Sequence, residues 1–190
     1  MIRVFWAIDL NQEIRSALQE FQKQVKKQLP AINWVKPESL HVTVKFVGEI
    51  GEEQLSPMQE AVTNGIKDCP PFALQVQGLG GFPNVMQPRV LWAGLSGQVN
   101  ELQKLVAYVE EALIPLGIAP DSKPFHPHLT LARIKERSRE IGMALARSQA
   151  LDQQAYFGML NVRQLCLFRS ELKPSGAVYH RLWEIPLKEK

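Results

Sequence analysis

The 190-residue sequence predicts an α+β or α/β protein with helices packed outside curved sheets. Apolar residues recur at helical spacing in four stretches, and seven or eight short alternating or continuously apolar runs interleave with them. No apolar run approaches the roughly 18 residues of a membrane span.

Taken in order, residues 2–9 ("IRVFWAID") read as a first strand and not a signal peptide. Arg3 and Asp9 interrupt the apolar run, and no small-residue cleavage site follows. Ile14, Leu18, Phe21, Val25 and Leu29 form a helical stripe that Pro30 stops. Two short strands, 34–36 and 41–47, flank the turn material "PES", and Leu55, Met58, Val62 and Ile66 make a second stripe ended by "DCPP". "FALQVQGLGGF" alternates as a strand, "NVMQP" turns, and "RVLWAGL" suits a central strand. Val99, Leu102, Leu105, Val106, Val109 and Leu113 mark the clearest helix, closed by Pro115 and Gly117. After the loop "APDSKPFHP" come the strand "HLTLARI", a weaker helix over 136–148, and strands near 160–169 and 177–185. Neither Pro70 nor Pro120 marks a domain boundary, so residues 1–190 read as one domain.

Composition excludes little. With 45% hydrophobic and 22% charged residues, a net charge of +3 and a pI near 8.9, composition does not indicate a strongly basic nucleic-acid-coating surface, although a local cationic cleft stays open. Cys69 and Cys166 belong to no Cys-x-x-Cys pair, which argues against a zinc ribbon or a thioredoxin-type motif. Buried, reduced thiols in a cytoplasmic protein are the expectation.

The chemistry lies in a repeated pattern. In "SLHVTVKFVG", strand alternation puts Val42, Val44 and Phe46 on one face and His41, Thr43 and Lys45 on the other. Nearly half the chain later, "HPHLTLAR" puts His128 and Thr130 together, opposite Leu129 and Leu131. Two such strands suggest two similar lobes whose His-x-Thr faces line one cleft. In-line displacement at phosphorus needs a base on one side and an acid on the other, and histidine can be either near neutral pH. The threonine hydroxyls can hold the non-bridging oxygens.

These stretches resemble a known family. "HVTV" and "HLTL" are similar to the paired His-x-Thr-x signatures of the two-histidine phosphoesterase superfamily, in its bacterial and archaeal branch of RNA 2′,3′-cyclic phosphodiesterases, also called 2′-5′ RNA ligases. The likeness extends to "RVFWAIDL", "HVTVKFVGE", "RVLWAG", "HPHLTLAR" and "LFRSELKPSGAVY", so it spans nearly the whole chain. It implies a bilobal α+β fold: two pseudo-symmetric lobes of curved antiparallel sheet, with outer helices, around a central cleft. It also implies opening of a terminal 2′,3′-cyclic phosphate on RNA to a 2′-phosphate, without a metal or other cofactor. His41 would be the proton donor to the 3′ oxygen, His128 the base, and Thr43 and Thr130 the phosphate holders.

Two cations are candidates for substrate binding. Lys45 shares the His41 face, whereas Arg133 falls by alternation on the face of Leu129 and Leu131 unless a bulge turns it. Phe46 and Tyr179 are assigned to the core, and His126 and His180 to structural or exposed roles. A monomer acting on RNA ends, without membrane contact, is the expectation. The alternatives are 2′-5′ ligation, in which a 5′ hydroxyl replaces water, and a non-catalytic module that binds RNA ends.

Overall fold

The computed structural model describes residues 1–29, 32–148, 155–174 and 176–188. In chain order its main elements are β1 (Ile2–Asp9), α1 (Gln12–Lys26), β2 (Asn33–Trp34), β3 (His41–Ile50), α2 (Leu55–Gly65), β4 (Phe72–Phe82), β5 (Val90–Gly97), α3 (Val99–Leu113), β6 (His128–Arg133), α4 (Ser138–Arg147), β7 (Tyr156–Val162), β8 (Gln164–Lys173) and β9 (Gly176–Pro186). The strands form two antiparallel sheets, one ordered β3-β1-β8-β9 and the other β2-β6-β5-β4-β7. Among the described residues this is an α+β fold of two curled sheets carrying four α-helices.

Each half of the sequence builds a strand pair and lends two strands to the other half's sheet. The early β1 pairs with β3 and the late β5 with β6, but β4 joins β5 while β8 joins β1. Helices cross over too: α1 follows β1 yet contacts β7, and α3 follows β5 yet contacts β3. Neither half can therefore bury its apolar face without the other. Trp6, Ile14, Leu74, Leu105, Leu129 and Leu167, drawn from both sheets and two helices, belong to one buried cluster.

Local chemistry sets the helix that braces the second motif strand. Asn11 caps α1 by accepting from the Ile14 amide at 2.9 Å, and Ile14, Leu18, Gln22 and Val25 face inward. Gln22 is polar and 2% exposed, so its amide needs acceptors. It donates to the carbonyls of Val35 (2.9 Å) and Leu131 (3.4 Å), tying α1 to the middle of β6.

Several boundaries differ from the sequence reading. The strand expected near 160–169 is two strands in different sheets, exchanged at Arg163. Strand 34–36 contracts to Asn33–Trp34 because Pro37 opens a 3-10 turn over Pro37–Ser39. The helix expected over 136–148 spans Ser138–Arg147, and Pro30 lies outside the described residues. Among the described residues no helix is long and apolar enough to cross a membrane.

Candidate active site

The two motif strands carry the same burial sequence over six positions. From His41 and from His128 alike, the residues run half-buried, buried, half-buried, buried, buried, exposed. Strict alternation fails at the fifth position in both, and the ladder shows why. Ala7 pairs with Thr43 but Trp6 with Lys45; likewise Trp92 pairs with Thr130 but Leu91 with Ala132. Val44 and Leu131 are thus the extra residues of two equivalent β-bulges, and each bulge reverses the facing of the residues just beyond it, in β3 as far as a second shift at Val47.

That reversal corrects two assignments and decides a third. Phe46 is not core: it is 59% exposed and lines the cleft beside Thr43 and His128. Arg133 occupies the equivalent place in the second strand and is exposed on the motif side, where its charge lowers the pKa of both His41 and His128. Lys45, a candidate for substrate, instead turns away from the motif face. It is 2% exposed, and its ammonium lies 2.6 Å from Asp121 and 2.9 Å from Glu110. Burial pulls its pKa down, but the two carboxylates outweigh this and hold it above the ordinary lysine value. Glu110 also accepts from the Asp121 amide at 2.8 Å, so Lys45 pins the loop ahead of His128 to β3 and α3.

Lys45→Met should therefore act through that loop. We expect a loss of about 3 kcal/mol in urea unfolding, at the low end for breaking a buried pair because Asp121 reaches solvent. A variant as stable as the parent would show that the triad holds nothing.

Both histidines are anchored in the same way. The Nδ1 of His41 lies 2.8 Å from the Ser39 carbonyl, and that of His128 lies 2.7 Å from the His126 carbonyl, in each case the residue two positions earlier. A carbonyl only accepts, so each Nδ1 carries a hydrogen and each Nε2 is the nitrogen free to gain or give a proton. Thr43 donates its hydroxyl to the His41 Nε2 across 3.1 Å. Since Thr43 also lines the cleft with His128, it joins the two motifs. Strands β3 and β6 are in contact. Thr130 is half-buried on the His128 side, opposite Trp92.

Aromatic rings close around each imidazole. His41 sits 4.8 Å from Phe5 and 5.2 Å edge-on from Tyr179, with Phe168 stacked at 6.5 Å. His128 meets Phe82 edge-on at 5.0 Å and Trp92 at 6.4 Å. Burial is the main reason both histidines titrate low, His41 at about 4 and His128 below the ordinary 6.5. Tyr179 is half-buried against His41, so its core assignment is corrected as well. The sequence reading missed Phe5, Phe82, Trp92 and Phe168 as site residues. Their packing is a product of the fold: Gly80 lies against the Trp92 ring, where a Cβ would come within 2.1 Å of it, and no local pattern announces that contact. His126 lines the cleft, and His180 is exposed and paired with Glu171 at 3.2 Å.

The open space around the motif strands comprises a main cleft and two flanking hollows that share lining residues. Its main part, about 740 Å³, lies on the His128 side between Phe46, Phe82, Phe125, Arg89 and Lys123. A hollow of about 330 Å³ between Arg3, Phe5, Arg133 and Tyr179 shares Phe46 with it. His41 opens on a third hollow, of about 390 Å³, which shares Tyr179 with the second. Among the described residues no three His, Cys, Asp or Glu side chains converge to hold a metal ion.

Comparison with known proteins gives this arrangement a relationship. The family described as "LigT like Phosphoesterase" matches residues 8–92 and again 94–179, so each His-x-Thr lies at nearly the same depth in its own match. The chain belongs to this family. LigT-like phosphoesterases are two-histidine phosphoesterases, and several relatives are close to full length. An RNA 2′,3′-cyclic phosphodiesterase of Archaeoglobus fulgidus is 35% identical over 184 residues, covering 95% of this chain and 98% of that one. One from Thermus thermophilus is 36% identical over 194 residues, covering 98% and 91%. A crystal structure of a Thermus thermophilus protein superposes with a TM-score of 0.77 at 34% identity, covering 98% of each chain. That of E. coli LigT complexed with 3′-AMP reaches 0.77 at 24% identity, over 99% of each, and shares the fold.

Proposed function

We propose that this chain, acting as one two-lobed monomer in the cytoplasm, opens the 2′,3′-cyclic phosphate at the end of an RNA and leaves a 2′-phosphate. One observation carries the reading: two histidines with Nδ1 fixed on backbone carbonyls offer two matched Nε2 atoms, and Thr43, bonded to the first, lines the cleft of the second. Curated relatives of that activity over nearly the whole chain support the substrate class. Buried free thiols at Cys69 and Cys166 fit a reducing compartment.

In the step itself, the His128 Nε2 takes a proton from water as its oxygen bonds to phosphorus. The bond from phosphorus to O3′ breaks, and the His41 Nε2–H protonates the departing oxygen. Thr43 has alternative partners. Its hydroxyl caps neutral His41 in the free site; once His41 is protonated, that hydroxyl is released to donate to a non-bridging oxygen, as Thr130 does from the other strand. Arg133 offsets the phosphate charge. No metal is required, because imidazoles, hydroxyls and a guanidinium supply every role.

The test is incubation of purified protein with an RNA ending in a 2′,3′-cyclic phosphate, in EDTA, followed by identification of the product isomer. A 2′-phosphate is expected; loss of turnover on chelation, restored by a divalent ion, or a 3′-phosphate product would overturn the scheme. The size of the cleft on the His128 side favours a second use. A 5′ hydroxyl of another RNA entering there in place of water would form a 2′-5′ linkage with the same two histidines. A module that only binds RNA ends would have no use for a matched acid and base.

A further inference from the structure

Next to the hollow that holds Arg133 lies a groove of about 590 Å³ between α1, β2 and the β8–β9 hairpin. Lys26, Lys135 and Lys173 converge on it from three separate elements, around the half-buried indole of Trp34. The Lys26 ammonium lies 5.9 Å from the centroid of that ring. The two spaces adjoin, since consecutive residues Gly176 and Ala177 line one each and Arg133 pairs in register with Asn33. Five cations line them and, among the described residues, not one carboxylate, in a chain holding 19 Asp and Glu against 22 Lys and Arg. Lys173 has an ion pair with Glu171 at 3.3 Å, while Lys26 and Lys135 have none among the described residues.

We infer that these neighbouring spaces hold the RNA strand upstream of the reacting end, so that the substrate is recognised as a single-stranded oligonucleotide. The inference rests on the phosphodiesterase reading, which also gives the strand its direction. The departing O3′ faces His41, so the ribose and all RNA behind it lie on that side. The Arg133 hollow is reached there, because its walls Phe5 and Tyr179 pack on the His41 ring. Arg3, which shares this hollow with the Arg133 that faces the reacting phosphate, meets the first upstream phosphate. Lys135 follows two residues after Arg133, at most about 7 Å away along the chain, and brings the strand to the lysine groove. Phe46 and Leu172, 59% and 69% exposed, and Trp34 offer apolar faces between the cations, the alternation that single-stranded bases and phosphates use.

The experiment compares kcat/KM for a dinucleotide and a decanucleotide, each ending in a 2′,3′-cyclic phosphate, from 50 to 200 mM KCl. In the wild type the decamer should be preferred, more so at low salt. In the K26A/K135A/K173A variant the decamer-to-dinucleotide ratio should fall at least about tenfold, and the log–log salt slope for the decamer should flatten by about 2, three phosphates at roughly 0.7 each. An unchanged ratio and slope in that variant would overturn the groove. If the wild type opens neither RNA, the phosphodiesterase reading fails, and decamer affinity by fluorescence anisotropy, wild type against variant, still judges the groove.

Discussion

His41→Ala and His128→Ala should each lower kcat/KM on a cyclic-phosphate RNA by about 10³-fold, and the double variant should be little worse than either. Positioned proton transfer contributes roughly 10²–10⁴-fold, and both transfers belong to one displacement, so removing either group disables the other. Independent contributors would instead multiply to about 10⁶. The two roles separate by substrate: a better leaving group at the 3′ position needs less protonation and should restore His41→Ala selectively. Restoration of His128→Ala instead would exchange acid and base. Thr43→Ala and Thr130→Ala should be milder, with Thr43→Ala the more damaging because its hydroxyl also caps the His41 Nε2. Rates that multiply in the double variant would show that the histidines do not act together.

The sequence made both histidines legible because His-x-Thr appears twice in strand settings, but it hid most of what surrounds them. A β-bulge adds one residue without any change of composition, so alternation counted past Val44 or Leu131 assigned Lys45, Phe46 and Arg133 to the wrong faces. Only comparing the two strands position by position reveals Phe46 and Arg133 as equivalents. The strand exchange at Arg163 was equally hidden, since no glycine or proline marks it. It shows only as a change of parity, from Leu160 and Val162 to Leu165 and Leu167. Helices α1 and α3 were legible throughout, because a full apolar stripe of 15 residues leaves little freedom in phase.

The pH dependence should separate the free enzyme from the complex. Turnover needs one imidazole protonated and one neutral, so kcat/KM is bell-shaped, with limbs that belong to the free, coupled pair. Both free histidines titrate below 6.5, His41 at about 4, so the maximum of kcat/KM should lie below pH 6.5 and fall about tenfold per pH unit above it. In the complex the phosphate anion favours protonated imidazole, which moves the bell for kcat to higher pH. Arg133 lowers both histidines, so Arg133→Ala should shift the kcat/KM bell upward even as it weakens turnover. The same burial has a sign for stability. His41 prefers to be neutral in the fold, so its contribution is full above pH 6.5 and is lost as pH falls from 6.5 through 4, by about 3 kcal/mol. Acid thus supplies the proton that catalysis needs and loosens the strand that presents it. A phosphate or substrate-analogue ligand should reverse both effects at once, raising the His41 pKa in an NMR titration and restoring acid stability. A kcat/KM maximum above pH 7.5, or a His41 resonance titrating near 6.5 in the free protein, would remove the basis for this coupling.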